Sequence, residues 1–210
     1  MKKMFALSDL IDYCCGSTDC QKSLRRLSKV YKLMGRLRDH SNAMTLCLEY
    51  NIDRSIFDHE QKILKATRKK LKAKIERIED DWGKIKRAND KRLKSITDTQ
   101  CKIYLREKYG DIERVTGASP GAEELHTIRR SIRHLLCISP LCGGDNAMLK
   151  PSDADRLDRL QRDIGDWHDM VVFMDKLKAL GYDSSHPKEY AALRRKEKAL
   201  RRFMEKNIIS

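Results

Sequence analysis

The chain carries one short pattern twice: Leu33-Met34-Gly35-Arg36-Leu37-Arg38-Asp39 and Asp163-Ile164-Gly165-Asp166-Trp167-His168-Asp169. Each copy has an apolar residue directly before its glycine and ends on an aspartate. The correspondence extends beyond both stretches, since Arg26-Leu27 matches Arg156-Leu157 and Met44 matches Met174. A pattern that recurs within one chain indicates a duplicated structural unit. We therefore predict that one helical unit occurs twice.

The composition favours helices throughout the chain. Its 210 residues include four prolines and ten glycines. No segment shows the alternation of apolar and polar residues that is typical of a strand. The first long helix is predicted from about Cys20 to Tyr50, with a buried stripe of Leu27, Val30, Met34 and Leu37.

A second long helix is predicted to begin near Ser55 and to bend around Asn89-Asp90. Its apolar residues recur at the spacing of a coiled coil: Leu64, Leu71, Ile75, Ile78, Trp82 and Ile85. Long helices with such stripes pack side by side in antiparallel bundles. The predicted fold is therefore all-α, with two pseudo-symmetric helical bundles built from long antiparallel helices.

The segment from Gly110 to Gly121 is predicted to be a linker, because it ends with Ser119-Pro120-Gly121. It divides a first half, residues 1–115, from a second half, residues 116–210, and the two halves together form one domain. Helices in the second half are predicted from Glu123-Glu124 to Ile138, from about Ala154 to Leu180, and from Pro187 to Asn207.

The charge points to an anionic partner. The chain has 45 Lys and Arg against 31 Asp and Glu, a net charge of +14. Such an excess favours nucleic acid, an acidic membrane surface or a phosphate polymer as the partner. No segment approaches the roughly 20 apolar residues of a membrane span, so we expect no membrane insertion. Seven cysteines form no CxxC pair, which indicates reduced cytoplasmic thiols and no metal site.

Basic side chains form three rows at helical spacing. Arg25, Lys29, Lys32 and Arg36 make the first row, and Arg156, Arg159 and Arg162 make the equivalent row before the second copy of the repeat. His126, Arg129 and Arg133 share one face of a third helix. Guanidinium forks match phosphate oxygens, and an imidazole adds one further donor. Each row is therefore a candidate phosphate contact, although a solvated basic face is the simpler interpretation of any one row alone.

Two elements in sequence resemble a known family. His126-x-x-Arg129-x-x-x-Arg133, followed by Ile164-Gly165-x-x-His168-Asp169, resembles the second half of a CHAD domain, the conserved histidine α-helical domain. The first copy of the repeat, Leu33 to Asp39, looks like the matching element of that family's first half. The resemblance implies two pseudo-symmetric four-helix bundles whose basic faces converge on a groove or channel that binds inorganic polyphosphate.

The resemblance also implies which residues carry that binding. They are the three rows of cations: His126, Arg129 and Arg133; Arg25, Lys29, Lys32 and Arg36; and Arg156, Arg159 and Arg162. The two glycines would allow close approach of helices. Asp39 and Asp169 would be partners of helix ends or arginines rather than catalytic acids. No catalysis, cofactor or metal is expected.

The chain departs from the family pattern in its first half. Met4 to Cys15 aligns with only the end of the histidine helix, so the N-terminal helix is incomplete and His126 has no counterpart. His134 and Leu136 also interrupt the basic run that often follows in the family. We therefore expect a weaker, more open site, and a homodimer that completes the missing wall is an alternative arrangement.

Two other functions stay open on the sequence alone. Nucleic acid is a competing polyanion, but base stacking needs aromatic residues among the cations and the chain is 6% aromatic. A histidine-dependent metal or phosphotransfer enzyme is the other alternative. Because the chain has no P-loop, no glycine-rich phosphate loop and no carboxylate cluster for Mg²⁺, we expect no enzyme. The expected location is the cytoplasm. Association with polyphosphate granules in the cytoplasm is an alternative.

Overall fold

The protein is all-α, as the sequence predicts. A computed structural model describes residues 2–76, 79–114, 120–142 and 149–209, and these ranges contain helices and no strand. The helices are α1 (Lys2–Cys15), α2 (Asp19–Ser23), α3 (Arg25–Glu49), α4 (Arg54–Ile75), α5 (Glu79–Leu93), α6 (Asp98–Glu113), α7 (Ala122–Ile138), α8 (Pro151–Ala179), α9 (Tyr182–Ser185) and α10 (Pro187–Ile209). A short 3₁₀ turn, Ser139–Leu141, follows α7. No described helix is both long and apolar enough to cross a membrane.

The chain forms two compact units. Unit 1 comprises Met1–Leu24, Lys84–Asp166 and Leu200–Ser210, and unit 2 comprises Arg25–Gly83 and Trp167–Ala199. Each unit takes segments from both sequence halves, 1–115 and 116–210. The units therefore follow a different division from the one that the internal repeat defines.

In unit 1, α7 packs its apolar face against α1 and α6. The buried residues of α7 recur at helical spacing, and each is at most 1% exposed: Leu125, Ile128, Ile132, Leu135 and Ile138. These residues form part of the core of unit 1. Each large apolar side chain that is removed from water in this way stabilises the fold by about 1.5–3 kcal/mol. Glu124 stabilises the start of α7 by accepting a hydrogen bond from the backbone N–H of Gly121 at 2.6 Å.

The helix predicted from Cys20 to Tyr50 is interrupted at Leu24, so that prediction is wrong at this point. The buried carboxylate of Asp12 accepts hydrogen bonds from the backbone N–H groups of Cys20 at 2.9 Å and of Gln21 at 2.8 Å. These bonds satisfy donors at the start of α2, as an N-cap side chain does. Leu24 is 1% exposed and separates α2 from α3. Asp12 of α1 thus caps the start of α2, a short helix that ends before Leu24.

In unit 2, α3 and α4 pack against each other. Leu27 and Val30 are buried as predicted, but Met34 is 44% exposed, and Leu33 is buried in its place. The angular position on the helix does not account for this exchange, since Met34 lies ~40° from Val30 and Leu33 lies ~60° from it on the other side. Of the four residues of the predicted stripe, Leu27 and Val30 are therefore buried, Leu37 is partly exposed and Met34 is exposed.

The second long helix has its break earlier than predicted. α4 ends at Ile75, and α5 continues through Asn89 and Asp90 to Leu93. Asn89 is buried in unit 1, and its side chain donates to the Ser8 hydroxyl at 3.4 Å, so it is accommodated inside the helix.

The structure describes only part of the stripe predicted for the second long helix and only part of the predicted linker. Ile85 is buried, Ile75 is 43% exposed, and Ile78 and the side chain of Trp82 lie outside the described residues. Gly110 to Glu113 belong to α6 rather than to the predicted linker, of which residues 115–119 lie outside the described part.

Candidate functional site

A cavity of about 670 Å³ in unit 1 brings three of the predicted cations together. Its wall on α8 is formed by Arg156, Arg159, Leu160, Arg162, Asp163 and Asp166, and its wall on α10 by Phe203 and Asn207. The α8 residues recur at intervals of three and four, so they share one face of the helix. The row of arginines that precedes the second copy of the repeat therefore faces one open space.

The three arginines of the cavity are exposed. Arg162 forms an ion pair with Asp158, one turn earlier on α8, with 3.3 Å between Nη2 and Oδ2. Because both side chains are largely exposed, this pair is worth at most ~1 kcal/mol and can give way to a stronger anion. Arg162 thus offers its guanidinium donors at low cost.

The cavity also has acceptors. Asp163 accepts a hydrogen bond from the Asn207 amide at 3.1 Å, which links α8 to α10. The exposed Asp166 lies on the same wall. The lining therefore combines three positive with two negative side chains and is not uniformly basic.

The cations of α7 contact a different face of α8. A Cβ atom built on Gly165 would lie 2.7 Å from Nη2 of Arg129, so the guanidinium occupies the space that the glycine leaves. Arg133 donates from Nε to the side-chain oxygen of Gln161 at 3.4 Å. Gln161 and Gly165 lie one turn apart, on the side of α8 opposite to the cavity arginines. His126 is exposed.

The two repeat glycines differ in their surroundings. Gly165 provides room for the guanidinium group of Arg129, the end of a long side chain from α7. At Gly35, nothing in the described part of the chain lies within 4 Å of a built Cβ atom. The close approach expected at Gly35 is therefore absent there, and that expectation is wrong.

The remaining predicted cations belong to unit 2. Arg25, Lys29, Lys32 and Arg36 are exposed on α3. Their spacing of three and four residues makes them a basic face of that unit.

The two repeat aspartates meet at one arginine of unit 2. Arg38 Nη2 lies 3.0 Å from Asp39 Oδ1 and 3.4 Å from Asp169 Oδ1. Asp169 also accepts a hydrogen bond from the Asn42 amide at 2.6 Å. The expectation that these aspartates are partners of an arginine is confirmed.

A second polar cluster of unit 2 surrounds a buried carboxylate. Glu60 accepts a hydrogen bond from Lys176 Nζ at 2.6 Å, and the same oxygen lies 2.5 Å from His40 Nδ1. The Glu60 side chain is 4% exposed. The three groups connect α3, α4 and α8 within this unit, and nothing in the sequence pattern indicated that they would meet.

A third cluster supports α7 in unit 1. The Tyr104 hydroxyl donates to Asp9 at 2.9 Å and lies 2.7 Å from His134 Nδ1. Burial by itself would raise the pKa of the Asp9 carboxyl, but hydrogen bonds from His134 and Tyr104 lower that pKa well below its usual range. The nearby charge of Lys108 acts in the same direction. His134, which interrupts the expected basic run, therefore has a structural role.

Comparisons of the chain with protein-family models, with curated proteins and with solved structures found no match. Within the described residues, no group of three or more His, Cys, Asp and Glu side chains is placed to hold a metal ion. The cavity of unit 1 is therefore the feature on which a functional proposal rests.

Five residues of this cavity were not predicted as site residues: Leu160, Asp163, Asp166, Phe203 and Asn207. Asp163 and Asp166 belong to the second copy of the repeat, but neither is a defined position of the pattern Ile164-Gly165-x-x-His168-Asp169. Phe203 and Asn207 lie one turn apart on α10, within a run of basic residues. An aromatic residue inside a basic run is the one signal that could have indicated Phe203.

Proposed function

We propose that the cavity of unit 1 binds inorganic polyphosphate without catalysing a reaction. One observation carries this proposal: Arg156, Arg159 and Arg162, spaced three residues apart on one helix, line a single cavity. Positions three residues apart differ by ~4.5 Å along the helix axis. Their guanidinium groups can therefore bind neighbouring phosphates of a linear chain.

The sequence pattern supports the same proposal. The net charge of +14 attracts polyanions. Among polyanions, inorganic polyphosphate is proposed because the sequence resembles the CHAD family. The same resemblance is the basis for proposing two pseudo-symmetric bundles of long antiparallel helices, in halves 1–115 and 116–210. Free cysteines fit the cytoplasmic location that is part of the proposal.

The other predicted cations take supporting roles in this proposal. Arg129 and Arg133 contact α8 from the side opposite to the cavity and hold the helix that carries the binding arginines. His126 is exposed and can add one donor to a bound phosphate. The basic face of α3, formed by Arg25, Lys29, Lys32 and Arg36, offers a second surface to a long polymer.

Titration with long-chain polyphosphate at two salt concentrations tests the proposal. A polyanion that displaces counterions at three arginines should lose affinity with a slope of about −2 to −3 in log affinity against log salt. A sulfated polymer of the same charge density is the control, and we expect it to bind more weakly. Equal binding of both polymers, or binding that does not respond to salt, would contradict a phosphate-specific site.

A further inference from the structure

The cavity contains an aromatic side chain that has no role in binding a phosphate group. Phe203 lines it from α10, and 58% of this side chain is exposed. Its apolar ring has no hydrogen bond to offer to an inorganic phosphate. An exposed ring beside cations is, however, the arrangement on which nucleic-acid bases stack in proteins that bind single strands.

The two carboxylates of the cavity also favour a ligand that carries more than phosphate groups. Asp163 and Asp166 are acceptors when ionised, and they repel a phosphate that approaches them. They complement a ligand that carries N–H or O–H donors next to its phosphates. The Asn207 amide, one turn beyond Phe203, can both donate and accept.

We propose that the cavity binds nucleoside polyphosphates, with the phosphates on Arg156, Arg159 and Arg162 and the base stacked on Phe203. The carboxylates of Asp163 and Asp166 then accept hydrogen bonds from the ribose hydroxyl or base amino groups. This inference rests on the proposed function to the extent that the same arginines bind the phosphates. It adds a base subsite that separates a nucleotide from a bare phosphate chain.

The test compares ATP with inorganic tripolyphosphate by calorimetric titration of the full chain in buffer free of divalent metal. Both ligands have three phosphates, and ATP carries the smaller negative charge, so charge alone favours tripolyphosphate. Stacking of one base predicts that ATP binds at least about fivefold more tightly. Phe203→Leu should weaken the binding of ATP at least about fivefold, because the stacking is lost, and leave the affinity for tripolyphosphate unchanged.

Tyr13→Leu is the matched control, because Tyr13 is an exposed aromatic residue of unit 1 outside the cavity lining. It should leave both affinities unchanged. Tripolyphosphate binding as tightly as ATP, or a Phe203→Leu variant that binds ATP as tightly as the natural chain does, would overturn the base subsite and leave polyphosphate binding intact. Binding of ATP without tripolyphosphate would support the subsite and contradict the proposed function, and binding of neither would overturn both.

Discussion

Replacing Arg156, Arg159 and Arg162 together with alanine is expected to weaken the binding of long-chain polyphosphate at least about 100-fold. The three guanidinium groups line one cavity, and each charged hydrogen bond to a phosphate contributes about 1.5–3 kcal/mol. The loss of two such bonds already corresponds to ~3 kcal/mol or more. Alanine preserves the helix because it has the highest helix propensity, so α8 should stay folded. Titration of the variant and the natural chain at one salt concentration measures the effect.

The control is a second triple variant with the same loss of charge. Lys91→Ala, Arg106→Ala and Arg130→Ala remove three exposed cations of unit 1 that do not line the cavity. Their removal weakens only the long-range field, so we expect less than about a threefold loss of affinity. Equal losses in the two triple variants would show that the whole basic surface, and not the cavity, attracts polyphosphate.

Glu60→Ala is expected to lower the free energy of unfolding by about 3 kcal/mol. The Glu60 carboxylate is almost completely buried between Lys176 and His40. Its removal leaves the half-buried Lys176 ammonium without its anionic partner, and such one-sided removal destabilises by about 3–5 kcal/mol in fully buried pairs. Urea unfolding followed by circular dichroism gives the free energy of unfolding.

A second pair of variants separates lost charge from lost packing. Glu49→Ala removes an exposed carboxylate of the same unit, and we expect it to change the free energy of unfolding by less than about 0.5 kcal/mol. Replacing Glu60 and Lys176 together with leucine should recover most of the stability, because the lysine is then no longer left without its anion. A Glu60→Ala variant as stable as Glu49→Ala would mean that this cluster contributes nothing to unit 2.

Local periodicity was sufficient to predict the helices that pack one clear apolar face. The apolar residues of α7 recur on one side of the helix, and the predicted span closely matches the observed one. The separate short helix α2 could not be predicted in this way, because the Asp12 carboxylate that caps its start lies on another helix. Asn89 likewise lies inside α5 with its side chain bonded to Ser8 of α1, a tertiary contact that the local pattern does not show.

The candidate site was predictable only where it lies on a single helix. Arg156, Arg159 and Arg162 could be grouped from their spacing, but Phe203 joins them through the packing of α10 beside α8. Gly35 and Gly165 occupy the same place in the repeat and still differ, because Arg129 of α7 fills the space at Gly165. Contacts between helices that are distant in sequence leave no trace in the local pattern.

Arginine modification in the presence of polyphosphate is the most direct measurement of whether the unit 1 cavity is the binding site. Phenylglyoxal labels exposed guanidinium groups, and mass spectrometry of peptides reports each arginine separately. We predict that polyphosphate slows the labelling of Arg156, Arg159 and Arg162 severalfold, while Arg106 and Arg130 react at unchanged rates. Equal protection of all five arginines, or no protection of the three in the cavity, would contradict binding at this site.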